Sequence, residues 1–112
     1  MYKILIFLVL ILFSLSCSKE NMKKSTINEK SLDLQVIEAY QEGMKSLNQG
    51  DVLFAAKKFN EAEILFPQSE WAPRSALMAA YAYFYNDYNN RTISELMNFF
   101  KKYPNDPNTS YA

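Results

Sequence analysis

The chain has 112 residues with 12 basic and 12 acidic side chains, so its formal net charge is zero. It shows no basic face of the kind that drives nucleic-acid binding. It has no histidine, which removes Ser-His-Asp and Cys-His nucleophile systems and histidine metal sites, and two glycines are too few for a phosphate-cradling loop. A single cysteine, Cys17, leaves no internal disulfide to form, even in an oxidising compartment.

Lys3 precedes an unbroken apolar run from Ile4 to Phe13, followed by Ser14-Leu15-Ser16-Cys17. A short positive start, about 7–15 apolar residues and small residues at the cut describe a secretory signal peptide over residues 1–16. The run falls short of the roughly 20 apolar residues that span a bilayer. Cleavage before Cys17 resembles bacterial lipoprotein processing, in which the new amino-terminal cysteine carries covalent lipid. Ser14 and Ser16 also suit an ordinary signal peptidase acting at the same bond, which leaves a secreted product with a free thiol; an uncleaved anchor is the third option. By the lipoprotein resemblance, Ser18 rather than Asp after the cysteine favours export to the outer membrane, with the protein lipid-anchored at its periplasmic face. No other cofactor is expected. Without Lys3 the remainder carries 11 basic and 12 acidic residues, about one net negative charge.

Residues 17–32 follow as the cysteine and a polar, lysine-rich tether with almost no apolar periodicity. Fifteen such residues reach roughly 20–25 Å on average, enough to hold a folded domain just off a membrane. From Asp33 the period becomes helical. Leu34, Ile37, Tyr40, Met44 and Leu47 recur at steps of three and four and predict one apolar stripe, with Asp33 as N-cap. Asn48-Gln49-Gly50-Asp51 interrupts the pattern, Gly50 suiting a left-handed helix stop and Asp51 a cap for the next helix. That helix carries Val52, Ala55, Phe59, Ala62 and Leu65/Phe66 and stops at Pro67, whose ring cannot continue the hydrogen-bond ladder.

The spacing Gly43-x11-Ala55-x3-Phe59-x2-Ala62-x4-Pro67 is that of a tetratricopeptide repeat, a helix–turn–helix unit of about 34 residues. Gly43 lets two helices approach, Ala55 sits where they cross, and Phe59 and Ala62 fill the gap behind. A second unit follows over residues 69–104, after the first over 33–68. Pro73 lies in the first turn of a helix to about Tyr85, where proline is tolerated. Leu77, Ala80, Tyr81 and Phe84 are expected to form its inner face, with Ala76, Ala79 and Ala82 allowing close contact. Asn86-Asp87 makes the turn, and Ile93, Leu96, Phe99, Phe100 and Tyr103 mark a fourth helix ending before Pro104. Pro67 and Pro104 lie 37 residues apart, and Thr92-x3-Leu96 replaces Ala-x3-Phe, so the second repeat is degenerate. Residues 105–112 read as the start of a third repeat, with Ser110-Tyr111-Ala112 opening another helix. A solenoid unit cannot bury its apolar face alone, so Leu96, Phe99 or Phe100 are expected to stay partly uncovered, and the chain is expected to continue. The fold class is therefore an all-α tetratricopeptide-repeat solenoid behind a signal peptide and tether.

The lipoprotein signal, the tether and the phrase from Tyr40 through Pro73, including FPQSEWAPRSAL, resemble the start of the BamD (ComL/YfiO) family of outer-membrane assembly lipoproteins. The resemblance implies a non-catalytic scaffold of the β-barrel assembly machinery. Its implied partners are a BamA-like insertase, other assembly lipoproteins and unfolded outer-membrane proteins, with no nucleic acid and no small-molecule substrate. The residues leave open another tetratricopeptide lipoprotein, an adaptor in pilus assembly or cell-envelope organisation, and a plain spacer.

Repeats of this kind bind other proteins and do no chemistry, and the first helix of each pair lines the concave groove. Tyr40 and Met44 on the first helix, and Tyr81 and Tyr85 on the third, are spaced four apart and share a face, so they are the candidate peptide-binding residues. Tyrosine and methionine offer large adaptable contacts, and a tyrosine hydroxyl can bond a peptide backbone. The same residues also serve as inter-helix packing, as does Trp71 in the inter-repeat turn. Glu61 and Glu63, two apart on a helix, point to different faces and form no carboxylate dyad. The paired lysines Lys57-Lys58 and Lys101-Lys102 read as solvated helix faces.

Overall fold

The computed structural model describes residues 1–3 and 30–112, so Cys17 and most of the signal peptide and of the tether lie outside the described residues. Residues 30–112 form four α-helices: α1 (Leu32–Asn48), α2 (Val52–Leu65), α3 (Trp71–Tyr85) and α4 (Asn89–Lys102). A 3-10 turn, Pro107–Ser110, follows them. Each helix packs chiefly on its neighbour in sequence, and α1 also touches α3. This is the helix-pair stacking of two tetratricopeptide-like repeats. Among the described residues no helix is long and apolar enough to cross a membrane.

Local chemistry explains the boundaries. The N-cap of α1 is Ser31, whose hydroxyl accepts from the Leu34 N–H at 3.4 Å. Asp33, expected as the cap, instead sits in the first turn, where its charge complements the helix dipole. Asp51 caps α2 as its spacing requires, accepting from the Phe54 N–H at 3.2 Å.

The turn inside each repeat is built alike. Gly50 has φ +81°, its N–H bonds to the Leu47 carbonyl at 3.0 Å, and the next N–H, Asp51, reaches back to Ser46 at 3.0 Å. Asp87 has φ +61°, with Asp87 N–H to Phe84 at 3.1 Å and Tyr88 N–H to Tyr83 at 3.0 Å. Both are Schellman stops closed by a left-handed residue. They lie 37 residues apart, the spacing of Pro67 and Pro104. An aspartate bears in the second repeat a conformation that only glycine adopts without steric cost. Asp87→Gly is therefore expected to raise the urea midpoint by an equivalent of about 0.5–1 kcal/mol, and an unchanged or lowered midpoint would show that the aspartate is not strained there.

The core departs from the expected stripes. On α1 the fully covered positions are Val36, Ala39, Gly43 and Ser46, while Tyr40, Met44 and Leu47 flank them half-buried and Leu34 faces solvent. On α3 the buried line is Ala72, Ser75, Ala76, Ala79, Ala82 and Tyr83. Of the inner face expected there, Ala80 is covered, but Tyr81 and Phe84 are 47% and 61% exposed. The reason is distance of approach: the helices pack on their small side chains, and the bulky ones are displaced to the flanks. Phe59 is the exception, a fully buried ring among Val52, Ala55, Ala56, Ala79, Ala82 and Tyr83. A second cluster of Val36, Ala39 and Ala62 is closed by Tyr40, Leu65, Phe66 and Trp71.

The last helix is the least covered. Thr92 and Phe99 are its only buried side chains. Ile93, Met97 and Phe100 face outward and Leu96 is half-buried. The expectation of a partly bare face holds for Leu96 and Phe100, but Phe99 is covered. Beyond α4, Pro107–Ser110 form the 3-10 turn, with Asp106 accepting from the Asn108 N–H at 2.8 Å and Pro107 opening it.

Candidate protein-binding face

The two pairs of candidate residues occupy different environments. Tyr40 stands between two rings, edge to face with Phe59 at 5.3 Å and with Trp71 at 5.2 Å between centroids. Burial pushes its hydroxyl above the ordinary tyrosine range, against a smaller opposite pull from the Arg74 guanidinium. Met44 is half-buried against the Phe59 cluster. Trp71 is the first residue of α3 rather than part of a loop, and Arg74 lies over its ring at 5.0 Å. These side chains are shared between α1, α2 and α3, so much of their area is already spent on packing.

Tyr81 and Tyr85 stand free on α3. Their rings lie 6.2 Å apart and tilted by 38°, and Tyr85 is 63% exposed. Tyr81 also walls an apolar pocket of about 500 Å³ with Leu77, Phe84, Leu96 and, from the C-terminal turn, Asn108 and Tyr111. The repeat register explains this pocket. Thirty-seven residues on from Gly43, Ala55 and Phe59 stand Ala80, Thr92 and Leu96, all three of which line it. In the first repeat the corresponding place is filled by the larger Phe59 ring and covered by α3. In the second, the smaller Leu96 leaves room and no fifth α-helix lies over it among the described residues.

Tyr81 and Tyr85 are thus brought together on one accessible face, and Tyr40 with Met44 on another, largely interior one. Leu77 and Phe84, read from sequence as packing residues, belong with Tyr81 in the pocket wall. Tyr83 went unnoticed in the sequence: it is buried, its hydroxyl accepts from Arg91 Nη1 at 3.3 Å, and the guanidinium lies over its ring at 5.5 Å. Two residues from each of Tyr81 and Tyr85, it points to the opposite side of α3, the side that packs on α2.

The charges on the surface are locally balanced. Lys58 meets Glu42 at 2.8 Å and Glu61 at 3.0 Å. The hydrogen bond to Lys58 holds the Glu42 carboxyl below its usual range. Such exposed pairs contribute little to stability. Among the described residues, no group of three or more His, Cys, Asp or Glu could hold a metal ion.

Both repeats, residues 32–112, match the family described as YfiO, outer membrane lipoprotein. The chain belongs to this family. Among curated proteins it is similar to the outer membrane protein assembly factor BamD of Caulobacter vibrioides, 30% identical over 104 residues, covering 93% of this chain and 33% of that protein. It is also similar to the proteins of the same name from Neisseria gonorrhoeae and Neisseria meningitidis, each 32% identical over 80 residues, 71% of this chain and 30% of those proteins. The chain therefore spans about a third of the length of the curated relatives it matches. No solved structure matches it. The YfiO match takes in α1 through the C-terminal turn, and with them the Tyr81–Tyr85 face.

Proposed function

We propose that this YfiO-family chain works as an outer-membrane lipoprotein subunit of the β-barrel assembly machinery. In this reading Cys17 is acylated and holds the repeats at the periplasmic face of the membrane. The repeats do no chemistry; they hold segments of unfolded outer-membrane proteins, alongside a BamA-like insertase and other assembly subunits. The observation that carries the reading is the family match across both repeats, joined to the accessible aromatic face that those repeats present.

Tyr81, Phe84 and Tyr85 offer apolar area with hydroxyl donors, which suits an extended segment of alternating apolar and aromatic side chains. Replacing Tyr81 and Tyr85 together by Ala is expected to weaken binding of such a peptide by roughly thirty- to a hundredfold, at about 1 kcal/mol or more per truncated contact. Both side chains are exposed, so the thermal midpoint should stay within an equivalent of about 0.5 kcal/mol. Fluorescence anisotropy with a labelled barrel-strand peptide reads the first quantity and thermal unfolding the second. Undiminished binding in the double variant would remove this face from the reading. Depletion of the protein in its host tests the wider role. Normal levels of outer-membrane barrel proteins would point instead to an envelope adaptor of another kind.

A further inference from the structure

Glu63 is a carboxylate placed where two packed repeats have no general need of one. It lies in the last turn of α2 and is only 8% exposed. Its Oε1 accepts from Tyr103 Oη at 2.7 Å and from Lys102 Nζ at 3.0 Å. The donors stand 39 and 40 residues further along, at the end of α4, with the whole of α3 between them and Glu63 in sequence. Among the described residues no other hydrogen bond between two side chains, and no other ion pair, joins the first repeat to the second.

The surroundings make this contact matter. α4 packs on α3 and buries only Thr92 and Phe99 of its own side chains. The Tyr103 ring rests against Phe99, centroids 5.5 Å apart, so the phenol that reaches Glu63 also wedges the one large buried side chain of α4. Lys102 is the weaker arm, because its side chain is 55% exposed and solvent screens its charge. Burial first, and then the bond to Glu63, raise the Tyr103 hydroxyl well above the ordinary tyrosine range, so it stays a donor at neutral pH. The device is not part of the repeat pattern: the position 37 residues after Glu63 is Phe100.

We propose that Glu63, Tyr103 and Lys102 form a latch that locks the end of α4 onto the first repeat and thereby holds the apolar pocket between α3 and α4 at its present width. While the latch is closed, Leu96 on α4 stays opposite Leu77 and Phe84 on α3. When it opens, α4 swings about its short connection to α3 and the pocket widens. The latch is a property of the fold and does not depend on what the protein binds.

Hydrogen exchange followed by mass spectrometry on the full chain tests it, with Tyr103→Phe as the decisive variant because it removes the donor and keeps the ring on Phe99. Amides of α4 are expected to exchange roughly tenfold or more faster, the loss of a hydrogen bond to a charged group, while those of α1 keep their native rates. Glu63→Leu, which removes the acceptor altogether, should act in the same direction, and Lys102→Met much less. The double variant Glu63→Leu/Tyr103→Phe should exchange no faster than Glu63→Leu alone, because the leucine has already removed the acceptor of the Tyr103 bond. Unchanged α4 exchange in Tyr103→Phe would overturn the latch. So would an equal acceleration across all four helices, which would mark the bond as a general stabiliser with no hold on α4 in particular.

Discussion

Phe59→Ala is expected to cost about 3–5 kcal/mol, the range found when a fully buried aromatic ring is removed and the cavity closes only in part. The ring is 0% exposed and has the Tyr40 edge on one side and the α1 backbone at Gly43 on another. Four of its other neighbours, Ala55, Ala56, Ala79 and Ala82, are too short to move into the space. A domain with a stability of about 5–15 kcal/mol is left marginal by such a loss. Urea unfolding should show the midpoint fall by half or more, with α1, α2 and α3 losing structure in one transition. Phe100→Ala is the control: the same side chain at 39% exposure should cost about 1 kcal/mol or less. Similar losses at the two positions would mean that the first repeat is not built around Phe59.

The same contrast shows what a reader of the sequence can and cannot see. The repeat skeleton was legible because each of its positions answers a local demand: a residue free to take positive φ at Gly50, a side-chain acceptor at Asp51, a helix stop at Pro67. These demands are met within four residues in sequence, and the structure has them where the spacing puts them. The repeat pattern put the close approaches at Gly43, Ala55, Ala79 and Ala82, where the helices do meet. The placing of the large side chains was less legible: hydrophobic periodicity picks them out as the stripe, whereas in the fold most of them mark the edge of the interface rather than its centre.

The candidate face divides along the same line. The spacing of Tyr81 and Tyr85 at i and i+4 places them on one side of α3 whatever else happens, and the structure shows them side by side. Whether such a side is covered depends on a helix that sequence spacing does not describe. Tyr40 meets Phe59 and Trp71, Tyr83 meets Arg91, and neither environment follows from periodicity. Glu63 is the extreme case. Its spacing from Glu61 correctly separates the two carboxylates, but its partners are 39 and 40 residues away and only the stacking of repeats brings them to it.

Gly43→Val is expected to cost about 3 kcal/mol, near the upper end for overpacking a well-filled core. A Cβ built at Gly43 would stand 2.7 Å from Cε1 and 2.8 Å from Cδ1 of Phe59, closer than carbon atoms approach. The ring cannot retreat, because Tyr40 and the α3 alanines already enclose it. Helix propensity gives no relief: Val recovers only part of the roughly 1 kcal/mol that Gly forfeits relative to Ala. Gly43→Ala should therefore be milder, its propensity gain offsetting much of the clash. The argument has a second arm in Phe59→Leu, which shortens the side chain that the new methyl groups strike. Alone it should destabilise; combined with Gly43→Val it should recover at least about 1 kcal/mol relative to the sum of the two single changes, a coupling of the size seen between touching residues. Urea midpoints of the four proteins in this cycle measure that coupling. Strict additivity would mean that the α1–α2 approach is limited by something other than the Gly43–Phe59 contact.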